Sequence, residues 1–227
     1  MNFEKLLLNL CPNPVKVIAP EVGIESYISI DLSIQNTSLN TNDLRSSLSF
    51  SNYINAFLES HSKQIAYGGY LEQRLLYSRN IHFNTNKYHQ RDIHLGVDLW
   101  CVVNTAVTAA FCGRIHSFKN NTNYGDYGPT IIIEHQFDEF QFFTLYGHLS
   151  LASIAALEEG QHIKAGEVIG FLGSSKVNGD YPPHLHFQII KDLQGNFGDY
   201  PGVCNSKSLD FYKINCPDPS LILKLEG

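Results

Sequence analysis

From Ile93 onward the chain is a succession of short β-branched and aromatic runs, IHLGVDLW, TAVTAAF, TIIIEH, FQFFTLYGHL, EVIGFLG and HLHFQII, separated by glycines and polar turns. Runs this short are strand-length rather than helix-length, and their side chains suit a pleated, half-buried surface. They predict a mainly β fold in which antiparallel strands form a groove or sandwich. The composition agrees. Fourteen Phe and 12 Tyr stand against one Met and one Trp, and 43% hydrophobic with 17% charged residues excludes a disordered chain. At 227 residues, one well-filled domain with an added element is expected. We place a small α/β extension at residues 1–76 and the β-rich domain at residues 77–227.

Upstream the pattern is weaker. Residues 1–25 contain prolines and no sustained period, so they read as an extended lead-in. Tyr27 to Ile34, YISIDLSI, alternates as a half-buried strand does. The following stretch has Leu44, Leu48, Tyr53, Ile54, Phe57 and Leu58 near helical spacing, with Thr41 or Asn42 as cap, and predicts one amphipathic helix. Gly68-Gly69 marks a break, and residues 78–92 read as a long irregular loop. SLASIAALEEG reads as a short helix or turn between strands.

A net charge of −6, from 16 basic and 22 acidic residues, argues against nucleic acid as a partner. The amino-terminal apolar stretch is too short for a signal peptide or a membrane span. The expectation is therefore a soluble protein without integral membrane contact, cytoplasmic or exported by a non-classical route. Five cysteines without a C-x-x-C pair suggest packed thiols, although Cys204 and Cys216 bracket a loop-like stretch and could pair in an oxidising setting.

The histidines carry more information. His94 and Asp98 stand at i and i+4 in IHLGVDLW, and His184 and His186 at i and i+2 in HLHFQII. On strands, each pair projects from one face, while Leu95, Val97, Leu185 and Phe187 point to the other. Three of these groups, two imidazoles and a carboxylate, could then meet on a metal from two neighbouring strands, a mix that suits zinc at a centre with an open position. A lone His-x-His is more often a pair of ordinary histidines. The combination, with His148 at a strand end in LYGHLS, sets a metal site level with that ordinary reading.

The ordered set IHLGVDLW, LYGHLS and PPHLHFQI resembles the zinc metallopeptidases of the lysostaphin and LytM type, as do Thr105 to Ala109, Gly113 and GQHIKAGEVIGFLG. That resemblance implies a duplicated hybrid motif-like β fold and one zinc ion held by His94, Asp98 and His186. It also implies that His148 and His184 are catalytic and that no further cofactor is bound. All five positions are intact. The implied chemistry is amide hydrolysis: zinc polarises the carbonyl and lowers the pKa of a bound water from ~15.7 towards ~7, while the two histidines move protons and bind the oxyanion. The implied substrate is a peptidoglycan-type or glycine-containing peptide.

YGGYLEQRLLYSRN, GDYGPTIIIEH, GDYPGVC and CPDPSLIL extend the resemblance to a branch of this family fused to phosphotransferase and aminotransferase domains. That branch makes a zinc amidase acting on a small cytoplasmic metabolite the enzymatic alternative. The alternative from another class is a non-catalytic β binding module, which needs no such convergence of ligands. His82, His89, His116, His135 and His162 lack partners at useful spacing and read as surface or loop histidines. Arg91 and Asp92 could orient the ligands from behind but read rather as solvated loop ends, and Tyr124, Tyr127 and Tyr181 read as candidate groove residues. An asparagine between Asn80 and Asn86 could block the metal, as in latent relatives.

Overall fold

The computed structural model describes residues 2–39, 44–74, 76 and 91–225. In chain order its elements are α1 (Phe3–Leu10), β1 (Tyr27–Ser29), α2 (Ser47–Ser60), β2 (Ile65–Gly68), β3 (Ile93–His94), β4 (Val97–Trp100), β5 (Ala106–Thr108), β6 (Gly113–Asn121) and β7 (Gly128–Phe137). They continue with β8 (Phe140–Gly147), a 3₁₀ turn at Leu151–Ile154, β9 (His162–Ile163), β10 (Val168–Phe171), β11 (His184–Ile190), β12 (Val203–Cys204), α3 (Leu209–Asn215) and α4 (Ser220–Leu223). Eight strands form one mixed sheet in the order β1-β2-β4-β11-β8-β7-β6-β9, so the fold is mainly β. Only β1 and β2 run parallel among its pairs.

Alternation divides that sheet into two faces. Val97 and Leu99, Leu185, Phe187 and Ile189, Tyr146, and Ile131 and Ile133 point to the back, where they join the main core. The antiparallel pair β5–β10 adds Val107 and Ile169 to this core, which makes it sandwich-like. On the front face the register sets His184 opposite Trp100 and His186 opposite Asp98. Burial of the back face fixes this register, because a slip of one residue would turn every front-face polar group into the core.

The extension differs from its sequence reading in three places. The lead-in contains α1: Asn2 accepts a hydrogen bond from the Lys5 N–H as its cap, and Phe3, Leu6 and Leu7 repeat at helical spacing and are buried. Phe3 meets Phe142 edge-on at 5.2 Å, so tertiary packing supplies what a short helix lacks alone. The strand from Tyr27 ends at Ser29, because β2 offers pairing partners only at Ile65, Ala66 and Tyr67. α2 begins at Ser47, where Ser46 and Ser49 form a reciprocal capping box; Thr41 and Asn42 lie outside the described residues. Its Phe50 and Ile54 pack with Ile30, Ala66 and Trp100 into a second core on the front face.

All five cysteines are free thiols, Cys204 and Cys216 included. Among the described residues no helix is long and apolar enough to cross a membrane.

Candidate metal centre

His94 ends β3 and Asp98 lies in β4, so these two residues do not share a strand as their spacing suggested. β3 pairs with β12, whereas β4 belongs to the large sheet. Leu95 accordingly packs with Ile93 and Cys204 rather than in the main core. The break falls at Gly96, where a Cβ would stand 2.6 Å from the Phe187 carbonyl oxygen and 2.8 Å from the His186 ring. Glycine therefore lets the chain cross close under β11 and bring His94 back over Asp98.

Three atoms able to hold a metal converge there. His94 Nε2 lies 2.9 Å from His186 Nδ1, and Asp98 Oδ1 lies 3.2 Å from the first and 3.1 Å from the second. The other ring nitrogens fix the tautomers. His94 Nδ1 is 2.9 Å from the Gly69 carbonyl, and His186 Nε2 is 3.0 Å from Gln188 Oε1 and 3.4 Å from the Tyr127 hydroxyl. With the protons directed at Gly69 and Gln188, two imidazole lone pairs and a carboxylate oxygen face one another across about 3 Å. Such a trio repels itself until a cation sits among it. Tetrahedral zinc with bonds of about 2.0–2.1 Å places its ligands about 3.3–3.4 Å apart, so this donor set fits the ion. The cluster His94, Asp98 and His186 is fully buried.

His148 and His184 join it from one side. His148 follows β8 with a left-handed backbone, φ 64°, a conformation costing about 1–3 kcal/mol that the surrounding bonds must hold. They do: its N–H donates to Tyr127 O and its carbonyl accepts from Gly173 N. The two rings stand 4.2 Å apart between centroids. His148 Nδ1 is 2.7 Å from the Asn178 carbonyl and His184 Nδ1 2.7 Å from the Pro182 carbonyl. Each therefore keeps its proton on Nδ1 and a lone pair on Nε2, and His184 Nε2 lies 3.8 Å from Asp98 Oδ1.

Burial keeps these imidazoles neutral. It pushes His94 down to about 4, with Asp98 opposing and Arg74 assisting, and it lowers His148 and His184 as well. For Asp98 burial acts upward, but the charges of its neighbours outweigh it and hold the carboxyl well below the usual range. His94 contributes to this only when protonated. Arg74, charged at every pH, lies with Nη1 2.5 Å from Asp98 Oδ2 and is the lasting cause.

The five residues face a cavity of ≈ 320 Å³ that Tyr124, Tyr127, Tyr181 and Arg91 also line. Asp92 lies off the site, accepting a hydrogen bond from Gln73 Nε2. His162 is exposed, and His116 is half-buried against Phe143 and Phe197. His135 corrects its surface reading: it is 0% exposed and bonded to the Cys112 carbonyl and Thr144 Oγ1. His82, His89 and Asn80 to Asn86 lie outside the described residues.

Sequence reasoning missed Gln188 and Arg74. Gln188 shares the His184 and His186 face of β11, so strand alternation was signal enough to find it. Arg74 carried no periodic signal.

Residues 92–198 match Peptidase family M23. This segment, just under half of the chain, is similar to an M23 peptidase domain. Lysostaphin from Staphylococcus staphylolyticus is 35% identical over 104 residues, 46% of this chain and 20% of that protein. DD-carboxypeptidase/endopeptidase Mpg from Neisseria meningitidis serogroup B is 38% identical over 100 residues, 44% of this chain and 20% of that protein. Glycyl-glycine endopeptidase ALE-1 from Staphylococcus capitis is 34% identical over 103 residues, 45% of this chain and 26% of that protein. The chain thus spans a fifth to a quarter of these relatives. The matched segment contains His94, Asp98, His148, His184 and His186, while Gly69 and Arg74 precede it.

Proposed function

We propose that this chain is a zinc-dependent endopeptidase that hydrolyses amide bonds in glycine-containing or peptidoglycan-type peptides. One zinc ion is held by His94, Asp98 and His186, and His148 and His184 are the catalytic histidines. The observation that carries this reading is the convergence of two imidazole lone pairs and one carboxylate oxygen on a shared centre, with two further buried imidazoles opening onto the same cavity. A binding module gains nothing from such a set and bears the cost of burying it. The names of two relatives, a DD-carboxypeptidase/endopeptidase and a glycyl-glycine endopeptidase, support the substrate class.

Zinc at this centre supplies Lewis acidity toward the scissile carbonyl and a lowered pKa for water. The chain supplies the proton traffic. His148 and His184 present Nε2 lone pairs because the Asn178 and Pro182 carbonyls hold the other nitrogens. Neutral at pH 7, the pair accepts the proton of the attacking water. The imidazolium so formed hydrogen-bonds the oxyanion while it holds that proton and then passes it to the leaving amine, a role worth about 10²–10⁴ in rate.

Phe50 of α2 and Leu76 wall the cavity beside Trp100, and ≈ 320 Å³ is at the small end for ligand sites. This favours, as second reading, a zinc amidase acting on a small molecule. Digestion of pentaglycine, cross-linked muropeptides and an unbiased library of short amides, followed by mass spectrometry, separates the two. New amino termini from the peptides, lost in His184→Ala, are the expected result. Cleavage confined to the small amides replaces the first reading with the second.

A further inference from the structure

We infer that Arg74 is a positioning residue of the metal centre, holding Asp98 so that a single carboxylate oxygen faces the ion. The inference rests on the metal reading above and concerns residues ahead of the matched segment. Arg74 is 1% exposed. Its guanidinium bridges two carboxylates, Nη1 to Asp98 Oδ2 and Nε to Glu72 Oε2, both at 2.5 Å. Glu72 is itself held, since its Oε1 accepts the Leu32 N–H at 2.9 Å. Of the two oxygens of Asp98, one is thus taken by Arg74, and the other, Oδ1, lies within 3.2 Å of both His94 Nε2 and His186 Nδ1.

The same short segment orients a second ligand. Gly69 O receives the His94 Nδ1 proton, and the backbone joins His94 N to Glu72 O and Leu71 N to His94 O. Gly69 has φ +106°, and a Cβ there would overlap the Arg74 guanidinium and press on the His94 ring. Residues 69–74 therefore form a bracket around two of the three ligands, anchored through Glu72 to the strand-and-helix extension. The extension is in this way part of the metal centre.

Charge and orientation make opposite forecasts for the removal of Arg74, which allows them to be told apart. Losing a buried cation beside the site strengthens its attraction for a dication. Losing the group that orients a ligand weakens metal binding, typically 10–100-fold. A purely structural ion pair would alter the stability of the fold and leave the affinity of the folded protein in place.

The test uses the full chain, stripped of metal. Zinc affinity is measured by competition with a chromophoric chelator for wild type, Arg74→Met and Arg74→Lys, with near-UV circular dichroism reporting the fold and the visible spectrum of the Co²⁺ form reporting coordination. Arg74→Met is expected to bind zinc about 10–100-fold more weakly, with a changed Co²⁺ spectrum. Arg74→Lys, which keeps the charge but cannot bridge both carboxylates, is expected to fall between Met and wild type. If Arg74→Met does not fold, Arg74→Lys decides. A folded variant that binds zinc as tightly as wild type, with the same Co²⁺ spectrum, overturns the inference. Wild-type protein that takes up no zinc overturns the metal reading and this inference with it.

Discussion

His148 and His184 face each other at 4.2 Å between ring centroids, and each directs its Nδ1 at a carbonyl of the same loop, at Asn178 and Pro182. One loop therefore sets the tautomer of both rings and aims both Nε2 lone pairs into the cavity. In the proposed mechanism they act on one proton inventory, so the pair should behave as a unit rather than as two independent contributions.

His184→Ala and His148→Ala are each expected to lower kcat by about 10²–10⁴ while zinc content stays at the wild-type level. The double variant should lose little more than the worse single one. Steady-state kinetics beside metal analysis checks this, and strictly additive losses would contradict the shared role.

His135 gives a pH dependence away from the metal centre. Burial pushes it from an ordinary 6.5 down to about 4, although the Cys112 carbonyl and Glu134 oppose the shift. The unfolded chain then binds the extra proton between those values, so stability is full above about 6.5 and falls as pH drops toward 4. Between pH 6.5 and 5 this amounts to about 2 kcal/mol. Urea denaturation at pH 7.5 and 5, in the presence of a chelator, should show wild type losing more than His135→Gln by about that amount. Equal losses would contradict it.

Phe187 stands behind His186, a proposed ligand, on β11, 0% exposed and 5.3 Å from the Tyr146 ring. Phe187→Ala should cost about 3–5 kcal/mol in urea denaturation, because the back-face core cannot collapse onto the space. Loss of less than about 1 kcal/mol would show that the strand carrying His184 and His186 is not braced from behind as described.

How far the sequence foretold this depended on whether each feature was local. The period of two in HLHFQII placed His184 and His186 on one face and Leu185 and Phe187 in the core, because one strand carries all four. The same reasoning misread IHLGVDLW. Its spacing suits one strand, but a close approach at Gly96 splits it, and that approach involves Phe187, 91 positions later. Arg74 and Glu72 were illegible for a similar reason. Their meaning lies in partners at Asp98 and Leu32, which only the sheet order brings together. The amino-terminal helix escaped notice because its neighbouring prolines masked an eight-residue pattern that packing against Phe142 completes.

The most direct measurement is the zinc content of purified protein after dialysis against a zinc buffer, for wild type beside His94→Ala. One ion per wild-type chain and nearly none in the variant is the predicted result. Equal zinc in both, or none in either, would contradict the centre formed by His94, Asp98 and His186.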